Sequence, residues 1–383
     1  MPSPTARIRS RRLRACLLAC VLACPAPALA AGAPDTDTPG THMPVTPQKM
    51  GAGAVSSGVQ LPPAPPATGT EALPVPAWGG PLPYPVVIAD RRNNRLIEVT
   101  PDKRIVWEFA SPDLSIYRGN DDVFFSHDGN RLMVNEEDNY DIHTIDYASR
   151  TLIWSHGEPD TKGRGPDQFD FPDDAHLLPD GSVVTTDIRN CRIMFFDVQK
   201  VELIEQWGKP GDCRHDPPRA FALPNGVTPL EGGDLLITEI PGSWITRLTR
   251  QGGVVWALPA PHVAYPSDAY PTRDGQVIVA DYVKPGGVVI FDPHSGKATW
   301  EYRPQNGEAM LDHPSLAIEL PNRNVLLNDD HRQRVVVIDR QTGQIVWQYG
   351  VTDQPGHAPG MLFNPDGLDV DFFHDWQSVP PAG

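Results

Sequence analysis

The sequence predicts an all-β protein, a six-bladed β-propeller closed by its C-terminal strand. A tryptophan recurs along the chain at steps of 47, 53, 49, 44 and 47 residues, at Trp107, Trp154, Trp207, Trp256, Trp300 and Trp347. The interval before each tryptophan holds short runs rich in β-branched and aromatic residues, separated by Gly, Pro, Asn or Asp. No helical periodicity appears in this part of the chain. Six four-stranded units of this kind fit a propeller, which arranges its sheets around an axis and leaves no long exposed edge.

The clearest unit runs from Phe171 to Trp207. It reads P-D-D-A-H-L-L, then S-V-V-T-T-D, then C-R-I-M-F-F-D, then V-E-L-I-E-Q-W, with a P-D-G turn after the first run. The first unit, by contrast, contains only three such runs: V-V-I-A-D, R-L-I-E-V and R-I-V-W-E-F. After Trp347 the chain carries F-N-P-D-G-L-D-V-D, which matches the missing run. We therefore expect residues 364–371 to supply the innermost strand of the first blade and to lock the ring.

The N-terminus predicts export. Five arginines precede an apolar run from Ala15 to Ala23, and Ala28-Leu29-Ala30 forms an A-x-A cleavage site, so residues 1–30 read as a signal peptide. Two alternatives stay open: Val21-Leu22-Ala23-Cys24 resembles a lipobox that would leave Cys24 lipidated, and Ser10-Arg11-Arg12 resembles a twin-arginine signal. Residues 31–82 predict a Pro-rich disordered linker, and residues 83–383 the propeller.

The net charge and the cysteine content restrict which binding partners and which compartment we expect for this protein. The formal net charge is −16, so we expect no nucleic acid partner, and contact with a membrane only through a lipid anchor at Cys24. Cleavage after Ala30 leaves two cysteines, Cys191 and Cys213. In an oxidising compartment these predict a structural disulfide, since no C-x-x-C redox motif is present. The predicted location is periplasmic or secreted.

Several segments of this sequence resemble known propeller repeats. N-P-D-G-L-D-V, V-V-I-A-D-R-R-N-N-R-L-I-E-V and L-P-D-G-S-V-V-T-T-D-I-R-N-C-R-I resemble NHL repeats, and the closing I-V-W-Q-Y-G strand resembles those of exported quinoprotein-like propellers. The resemblance covers roughly residues 83–372. It implies the fold and leaves the activity open.

Alignment of the six blades places one small polar residue at the start of every innermost strand. These residues should surround the mouth of the central channel, either binding a ligand or capping the strands. They are Asp121, Asp173, Asn225, Ser267, Ser315 and Asp366. The predicted ligand-binding set comprises Asp122, Asp173, Asp174, Asn225, Asp268, Ser315 and Asp366.

A carboxylate also ends every second strand. In blades one, three and six an arginine follows five residues later, which predicts the ion pairs Asp90–Arg95, Asp187–Arg192 and Asp329–Arg334. Glu136, Glu239 and Asp281 lack that arginine. Because crowded carboxylates must bind a cation, protonate or contact water, these three are the predicted metal ligands. The cofactor stays open, with a divalent cation as the candidate.

Histidines supply the catalytic candidates. His313 precedes an innermost strand and His176 lies within one, so each can act as acid, base or nucleophile at the channel. His331 and His215 fall in loops of the same face, whereas His127 and His294 sit beside turns of the opposite face. Trp244 and Tyr282 occupy loops that can line the funnel.

Two enzyme families with six-bladed propellers bear comparison. Periplasmic arylsulfotransferases resemble the chain in export, blade number and a disulfide, and use a channel histidine as nucleophile; they carry an extra N-terminal β-domain for which residues 31–82 are too short. Peptidylglycine amidating lyases hold zinc with histidines from different blades, and no three histidines here occupy equivalent positions.

The sequence thus favours an exported propeller that binds a small polar or cationic ligand, with a divalent metal, at an acidic central funnel. A propeller enzyme with arylsulfotransferase-like, lyase or hydrolase chemistry is the first alternative. An envelope scaffold that binds other proteins is the second.

Overall fold

A computed structural model describes residues 61–67 and 78–379 of the chain. It contains six four-stranded antiparallel sheets. The predicted signal peptide, its Cys24 and most of the predicted linker lie outside the described residues. The part of the chain that the structure describes has no helix long and apolar enough to span a membrane.

The strands of the first three blades follow one another with short connections. Blade 1 contains β1 (Val86–Asp90), β2 (Arg95–Val99) and β3 (Ile105–Phe109). Blade 2 contains β4 (Val123–Phe125), β5 (Arg131–Glu136), β6 (Asp141–Asp146) and β7 (Thr151–Gly157). Blade 3 contains β8 (Pro172–Leu177), β9 (Ser182–Asp187), β10 (Arg192–Asp197) and β11 (Glu202–Gly208).

The last three blades repeat this order. Blade 4 contains β12 (Pro224–Pro229), β13 (Leu235–Glu239), β14 (Trp244–Leu248) and β15 (Val254–Pro259). Blade 5 contains β16 (Pro266–Pro271), β17 (Val277–Asp281), β18 (Gly287–Asp292) and β19 (Lys297–Tyr302). Blade 6 contains β20 (Ala317–Glu319), β21 (Val325–Asp329), β22 (Arg334–Asp339) and β23 (Gln344–Tyr349).

The last strand, β24 (Pro365–Val370), pairs antiparallel with β1, so the sheet of blade 1 has the order β24-β1-β2-β3. Blade number and closure by the C-terminal strand are therefore confirmed. Closure joins the two ends of the propeller through backbone hydrogen bonds, which removes an open edge strand.

The hydrophobic core consists of six clusters, each between two neighbouring blades. Successive residues of a strand point to opposite faces, and both faces of a blade are covered, so strands such as V-V-I-A-D are apolar throughout. Three of the repeating tryptophans also hold the next blade. The indole N–H donates to a backbone carbonyl there: Trp107 to Tyr147 at 2.8 Å, Trp300 to Arg340 at 3.0 Å, and Trp347 to Pro101 at 2.9 Å.

Two segments of the predicted linker are described, 61–67 and 78–82. Ala64 and Trp78 pack against the core between blades 1 and 2. Arg150 Nη2 donates to the carbonyl oxygen of Pro62 at 2.8 Å. Leu82 is buried in the core between blades 6 and 1.

Candidate functional site: an acidic central channel

Three tiers of equivalent blade positions surround the channel. The mouth tier is the residue after the carboxylate that ends each second strand: Arg91, Glu137, Ile188, Ile240, Tyr282 and Asp330. The upper tier lies within two residues of the start of each innermost strand: Asp121, Asp173, Asn225, Ser267, Ser315 and Asp366. The lower tier is the next residue: Asp122, Asp174, Gly226, Asp268, Leu316 and Gly367. All eighteen positions are described; eight carry carboxylates and one, Arg91, is basic.

Bulges in the innermost strands explain why two successive residues both reach the channel. The pairing of β8 with β9 is irregular between Asp173 and His176, and β12 and β16 are irregular at the equivalent positions. A bulge inserts one residue and turns side chains away from regular alternation. Asp173 therefore contacts Asn225 while Asp174 lies close to Asp268.

Arg91 is the one basic residue of the mouth tier. Its Nη1 lies 2.5 Å from Asp121 Oδ1 and 2.5 Å from Asp366 Oδ2, and its Nη2 lies 2.9 Å from Glu137 Oε2 and 3.2 Å from Asp138 Oδ2. Burial raises the pKa of Asp366, but the adjacent Arg91 outweighs it and holds the pKa at about 2. One guanidinium thus serves four carboxylates above the lower tier.

Amide side chains connect the upper tier from blade to blade. Asn135 Nδ2 donates to Asp121 Oδ2 at 3.3 Å and to Asp173 Oδ1 at 3.2 Å. Asn225 Nδ2 donates to Asp173 Oδ2 at 2.5 Å, and Tyr265 donates its hydroxyl to Asn225 Oδ1 at 3.1 Å. These contacts fix Asp173 in place beside the lower tier.

The lower tier brings three carboxylates together. One oxygen each of Asp122, Asp174 and Asp268 lies within 4.8 Å of the others, and all three residues are buried. Burial first, and the neighbouring carboxylates next, raise the pKa of Asp174 and Asp268 well above the ordinary value. Burial raises the pKa of Asp122 to about 6. Oδ1 of Asp174 and Oδ1 of Asp268 find no hydrogen-bond donor among the described residues.

Gly226 and Gly367 leave the space in which the lower-tier carboxylates lie close together. A Cβ at Gly226 would lie 2.6 Å from Asp268 Oδ1 and 3.0 Å from Asp174 Oδ2. A Cβ at Gly367 would lie 2.4 Å from the Cα of Asp122. The blades without a lower-tier side chain therefore provide the space into which the acids of the other blades extend.

A second group shares Asp122. One oxygen each of Asp121, Asp122 and Asp173 lies within 4.8 Å of the others, and all three residues are buried. Oxygen-only donor sets of this kind suit hard cations such as Ca²⁺, Mg²⁺ and Mn²⁺.

His176 follows the lower-tier residue Asp174 by two positions in β8. Its ring stacks on Phe124 with centroids 4.0 Å apart, and its Nε2 has no partner among the described residues. Burial lowers the pKa of His176 to about 3, so the imidazole is neutral. His176 is therefore buried in β8 against Phe124 of β4, and its catalytic role stays a prediction.

The predicted ion pairs of blades 1, 3 and 6 are present. Arg95 lies 2.8 Å from Asp90, Arg192 lies 2.7 Å from Asp187, and Arg334 lies 2.8 Å from Asp329. The second oxygen of each acid accepts a backbone N–H from the preceding inter-blade loop, those of Phe363, Asp170 and Asp312. Each pair therefore fixes a loop at the channel mouth.

Glu136, Glu239 and Asp281 lack the arginine of the other three blades but have other partners. His143 Nε2 lies 3.6 Å from Glu136, His215 Nδ1 lies 2.7 Å from Glu239, and Arg303 Nη1 lies 2.7 Å from Asp281. Each also accepts a backbone N–H, from Arg118, Ala222 and Ala264 respectively. A histidine or arginine from elsewhere in the chain replaces the missing arginine, so the three acids lie in separate blades with their own partners. Their role as metal ligands stays a prediction.

In blade 2 the buried His143 takes the place of the arginine as the partner of Glu136. His143 contacts Glu136, lies 3.4 Å from Asp141 Oδ1, and has Nδ1 2.7 Å from Ser155 Oγ. Burial lowers the pKa of His143, but the adjacent carboxylates of Asp141 and Glu136 outweigh it and raise the pKa to about 9.

The disulfide is confirmed: Cys191 and Cys213 are bonded, with Cα atoms 5.2 Å apart. It ties the turn before β10 to the loop between β11 and β12. That loop also carries His215, whose ring stacks on Trp244 with centroids 3.9 Å apart. A disulfide indicates an oxidising compartment.

Sequence reasoning missed Arg91, Glu137 and Asp330. Asp330 is buried, and burial together with Asp366 raises its pKa well above the ordinary value. All three occupy the position directly after the second-strand acid. Extension of the blade alignment by one residue would have found them.

The comparisons with known proteins agree with the fold. Residues 204–363 match the family model described as outer membrane protein assembly factor BamB. A search of curated proteins finds no sequence match to this chain. A protein of unknown function from Bacteroides caccae is 14% identical with a TM-score of 0.52, over 75% of this chain and 98% of that one. A streptogramin B lyase is 16% identical with a TM-score of 0.50, over 77% and 86%.

At such identities the solved structures establish the fold alone. The family match begins within β11, the outermost strand of blade 3, and covers blades 4 to 6. Each of these outermost strands carries one of the repeating tryptophans. The chain is a six-bladed β-propeller that resembles the quinoprotein-like propellers.

Proposed function

We propose that this protein binds a hard divalent cation in its central channel through Asp122, Asp174 and Asp268, and that the acidic mouth above it receives a small polar or cationic ligand. The observation that carries the proposal is the meeting of three buried carboxylates, together with one oxygen each of Asp174 and Asp268 that has no donor among the described residues.

Electrostatics supports a bound cation. Two carboxylates that share a buried site oppose each other's ionisation, and a buried charge without a partner is strongly unfavourable. The guanidinium of Arg91 makes its ion pairs with Asp121, Asp366, Glu137 and Asp138, none of which belongs to the lower tier. At neutral pH a divalent ion compensates the lower tier while it keeps the acids ionised.

Geometry supports a metal of the calcium class. Ca²⁺ takes oxygen ligands at about 2.3–2.6 Å, so one ion reaches oxygens separated by up to roughly 5 Å. The oxygens of Asp122, Asp174 and Asp268 lie within 4.8 Å of one another. No nitrogen or sulfur ligand belongs to this set, which favours Ca²⁺, Mg²⁺ or Mn²⁺ over softer metals.

The mouth supports recognition of a small ligand. Tyr282 and Tyr265 have ring centroids 5.4 Å apart, and Tyr282 is 4.9 Å from the ring of His313. Aromatic faces beside carboxylates suit a ligand with positive or polar groups. The upper-tier residues Asp173 and Asn225 lie between this aromatic rim and the proposed ion.

The setting of this function is the periplasm or the extracellular space. The disulfide between Cys191 and Cys213 and the arginine-rich leader support export. The matched family's description as an outer membrane assembly factor is compatible with an envelope location.

The test is a calorimetric titration of chelator-treated protein with Ca²⁺, Mg²⁺ and Mn²⁺. We expect one ion per chain at the lower tier, and loss of that binding in the variant Asp174→Asn/Asp268→Asn. Asp167→Asn is the matched control, because this aspartate has a side chain 72% exposed. Equal binding by the double variant and the wild type would refute the proposal.

A further inference from the structure

A second cluster of ligand atoms lies at the channel mouth in blade 6. Asp312 and His313 belong to the loop between β19 and β20, and His331 belongs to the turn between β21 and β22. Asp312 Oδ1 is 2.7 Å from His313 Nδ1 and 3.6 Å from His331 Nδ1. The two imidazole rings have centroids 4.2 Å apart. Two loops thus bring two nitrogens to one carboxylate oxygen.

The backbone fixes both loops. The N–H of Asp312 donates to Asp329 Oδ1 at 2.7 Å, and Asp329 is itself held by Arg334. The N–H of His331 donates to the carbonyl oxygen of Asp312 at 3.2 Å, and that of His313 donates to the carbonyl oxygen of Val283 at 3.1 Å. The cluster is therefore assembled by the fold before any ligand arrives.

We propose that Asp312, His313 and His331 form a second metal site, which takes a divalent transition metal ion of the zinc class. Imidazole nitrogens with one carboxylate are a donor set that zinc and its neighbours prefer. With metal–ligand distances near 2.1 Å, tetrahedral ligands lie about 3.4 Å apart. The oxygen-to-nitrogen separations of 2.7 and 3.6 Å bracket that value.

Lys284 orients the carboxylate for this role. Its Nζ lies 2.5 Å from Asp312 Oδ2, so the other oxygen, Oδ1, is directed at the histidines. Burial raises the pKa of Asp312, but the adjacent His313, His331 and Lys284 outweigh it and hold the pKa well below its ordinary value.

Three protein ligands leave one position of a tetrahedral ion open. Tyr282 borders the cluster, with ring centroids 4.9 Å from His313 and 6.2 Å from His331. The open position takes a water molecule or an oxygen atom of a small ligand at the mouth. The two proposed metal sites then differ in donor type. The lower tier offers oxygen ligands alone, whereas the cluster of Asp312, His313 and His331 offers nitrogen and oxygen ligands.

The experiment uses Co²⁺ as a spectroscopic probe on the purified, chelator-treated chain. We expect visible d–d absorption of a four- or five-coordinate ion that saturates at one equivalent and is displaced by Zn²⁺ but not by Ca²⁺. His313→Ala and His331→Ala should each weaken Co²⁺ binding by at least about ten-fold. His294→Ala, an exposed histidine next to a turn, is the matched control and should bind as the wild type does.

The variant Asp174→Asn/Asp268→Asn separates this site from the proposed function. It should retain the Co²⁺ spectrum while it loses Ca²⁺ binding. Failure of either His331→Ala or His313→Ala to change the spectrum, in protein whose circular dichroism is unchanged, would overturn the proposal. Absence of the absorption in the wild type would overturn it as well.

Discussion

Replacement of Asp122 by asparagine should stabilise the metal-free protein and at the same time remove its response to calcium. Asp122 belongs to both carboxylate groups of the channel. Asparagine keeps the size and one oxygen but carries no charge. The substitution therefore removes the electrostatic cost of the buried carboxylate and also removes a ligand.

The magnitude follows from the raised pKa. Burial, opposed by a hydrogen bond to Asp173 and reinforced by Asp366, raises the pKa of Asp122 from 3.8 to about 6. At about 1.4 kcal/mol per pKa unit, ionisation of this group in the folded state costs about 3 kcal/mol at pH 8. Because the folded pKa lies above the unfolded one, stability decreases as the pH rises from about 4 through 6 and stays lower above that range.

In chelator at pH 8, Asp122→Asn should raise the free energy of unfolding by up to about 3 kcal/mol, and the melting temperature by roughly 5 °C for a domain of this size. At pH 4 the two proteins should differ little, since the wild-type group is then largely protonated. Calcium at about 100 times its Kd should stabilise the wild type by about 2.7 kcal/mol and the variant much less.

The assay is urea unfolding followed by tryptophan fluorescence, at pH 4 and pH 8, with chelator or with calcium. Asp167→Asn should keep the calcium response of the wild type at both pH values, because its side chain is 72% exposed and its charged neighbour is His156, at 3.7 Å. Two results would refute the proposed electrostatic cost and ligand role of Asp122: destabilisation of the chelated protein by Asp122→Asn at pH 8, or calcium stabilisation of the variant as strong as that of the wild type.

Three further predictions test separate contacts. Gly226→Ala places a Cβ 2.6 Å from Asp268 Oδ1, so calorimetry should show calcium affinity at least about ten-fold weaker. Unchanged affinity would contradict the claim that Gly226 leaves the space in which Asp174 and Asp268 meet. His143 has a folded pKa of about 9, above the unfolded value, so its stabilisation is complete below about pH 6.5 and is lost as pH rises through 9; urea unfolding should show a loss of up to about 3 kcal/mol that His143→Gln lacks. The double variant Cys191→Ser/Cys213→Ser should lose about 3 kcal/mol of stability, and an unchanged urea midpoint would contradict this.

Much of the fold is encoded locally and could be predicted. The spacing of the tryptophans follows from four strands plus loops, and several of the indoles repeat the same contact with the next blade, as Trp107 does with Tyr147. Asp187 and Arg192 face each other across one tight turn, so their separation of five residues is sufficient to pair them. The closing strand carries the sequence pattern of an innermost strand.

The partners of the remaining acids could not be predicted in this way, because they come from other strands. Arg303 reaches Asp281 from the end of the outermost strand of the blade, 22 residues away. His143 lies two residues beyond the position of the arginine, on the same face of its strand. His215 arrives from the preceding inter-blade loop, which the disulfide at Cys213 holds.

The candidate site depends on a similar non-local feature. An alternating strand would place only one of Asp173 and Asp174 in the channel. The bulge in β8 directs both inward, and neither propensity nor hydrophobic pattern marks it. The meeting of Asp174 with Asp268 further requires Gly226 in the blade between them.

Cation binding in the channel can be observed directly in an anomalous difference map from a crystal of the protein grown with Mn²⁺. We expect a peak in the channel within about 2.5 Å of oxygens of Asp122, Asp174 and Asp268. A map with no peak between these three carboxylates, at Mn²⁺ concentrations that saturate binding in solution, would contradict the proposed cation site.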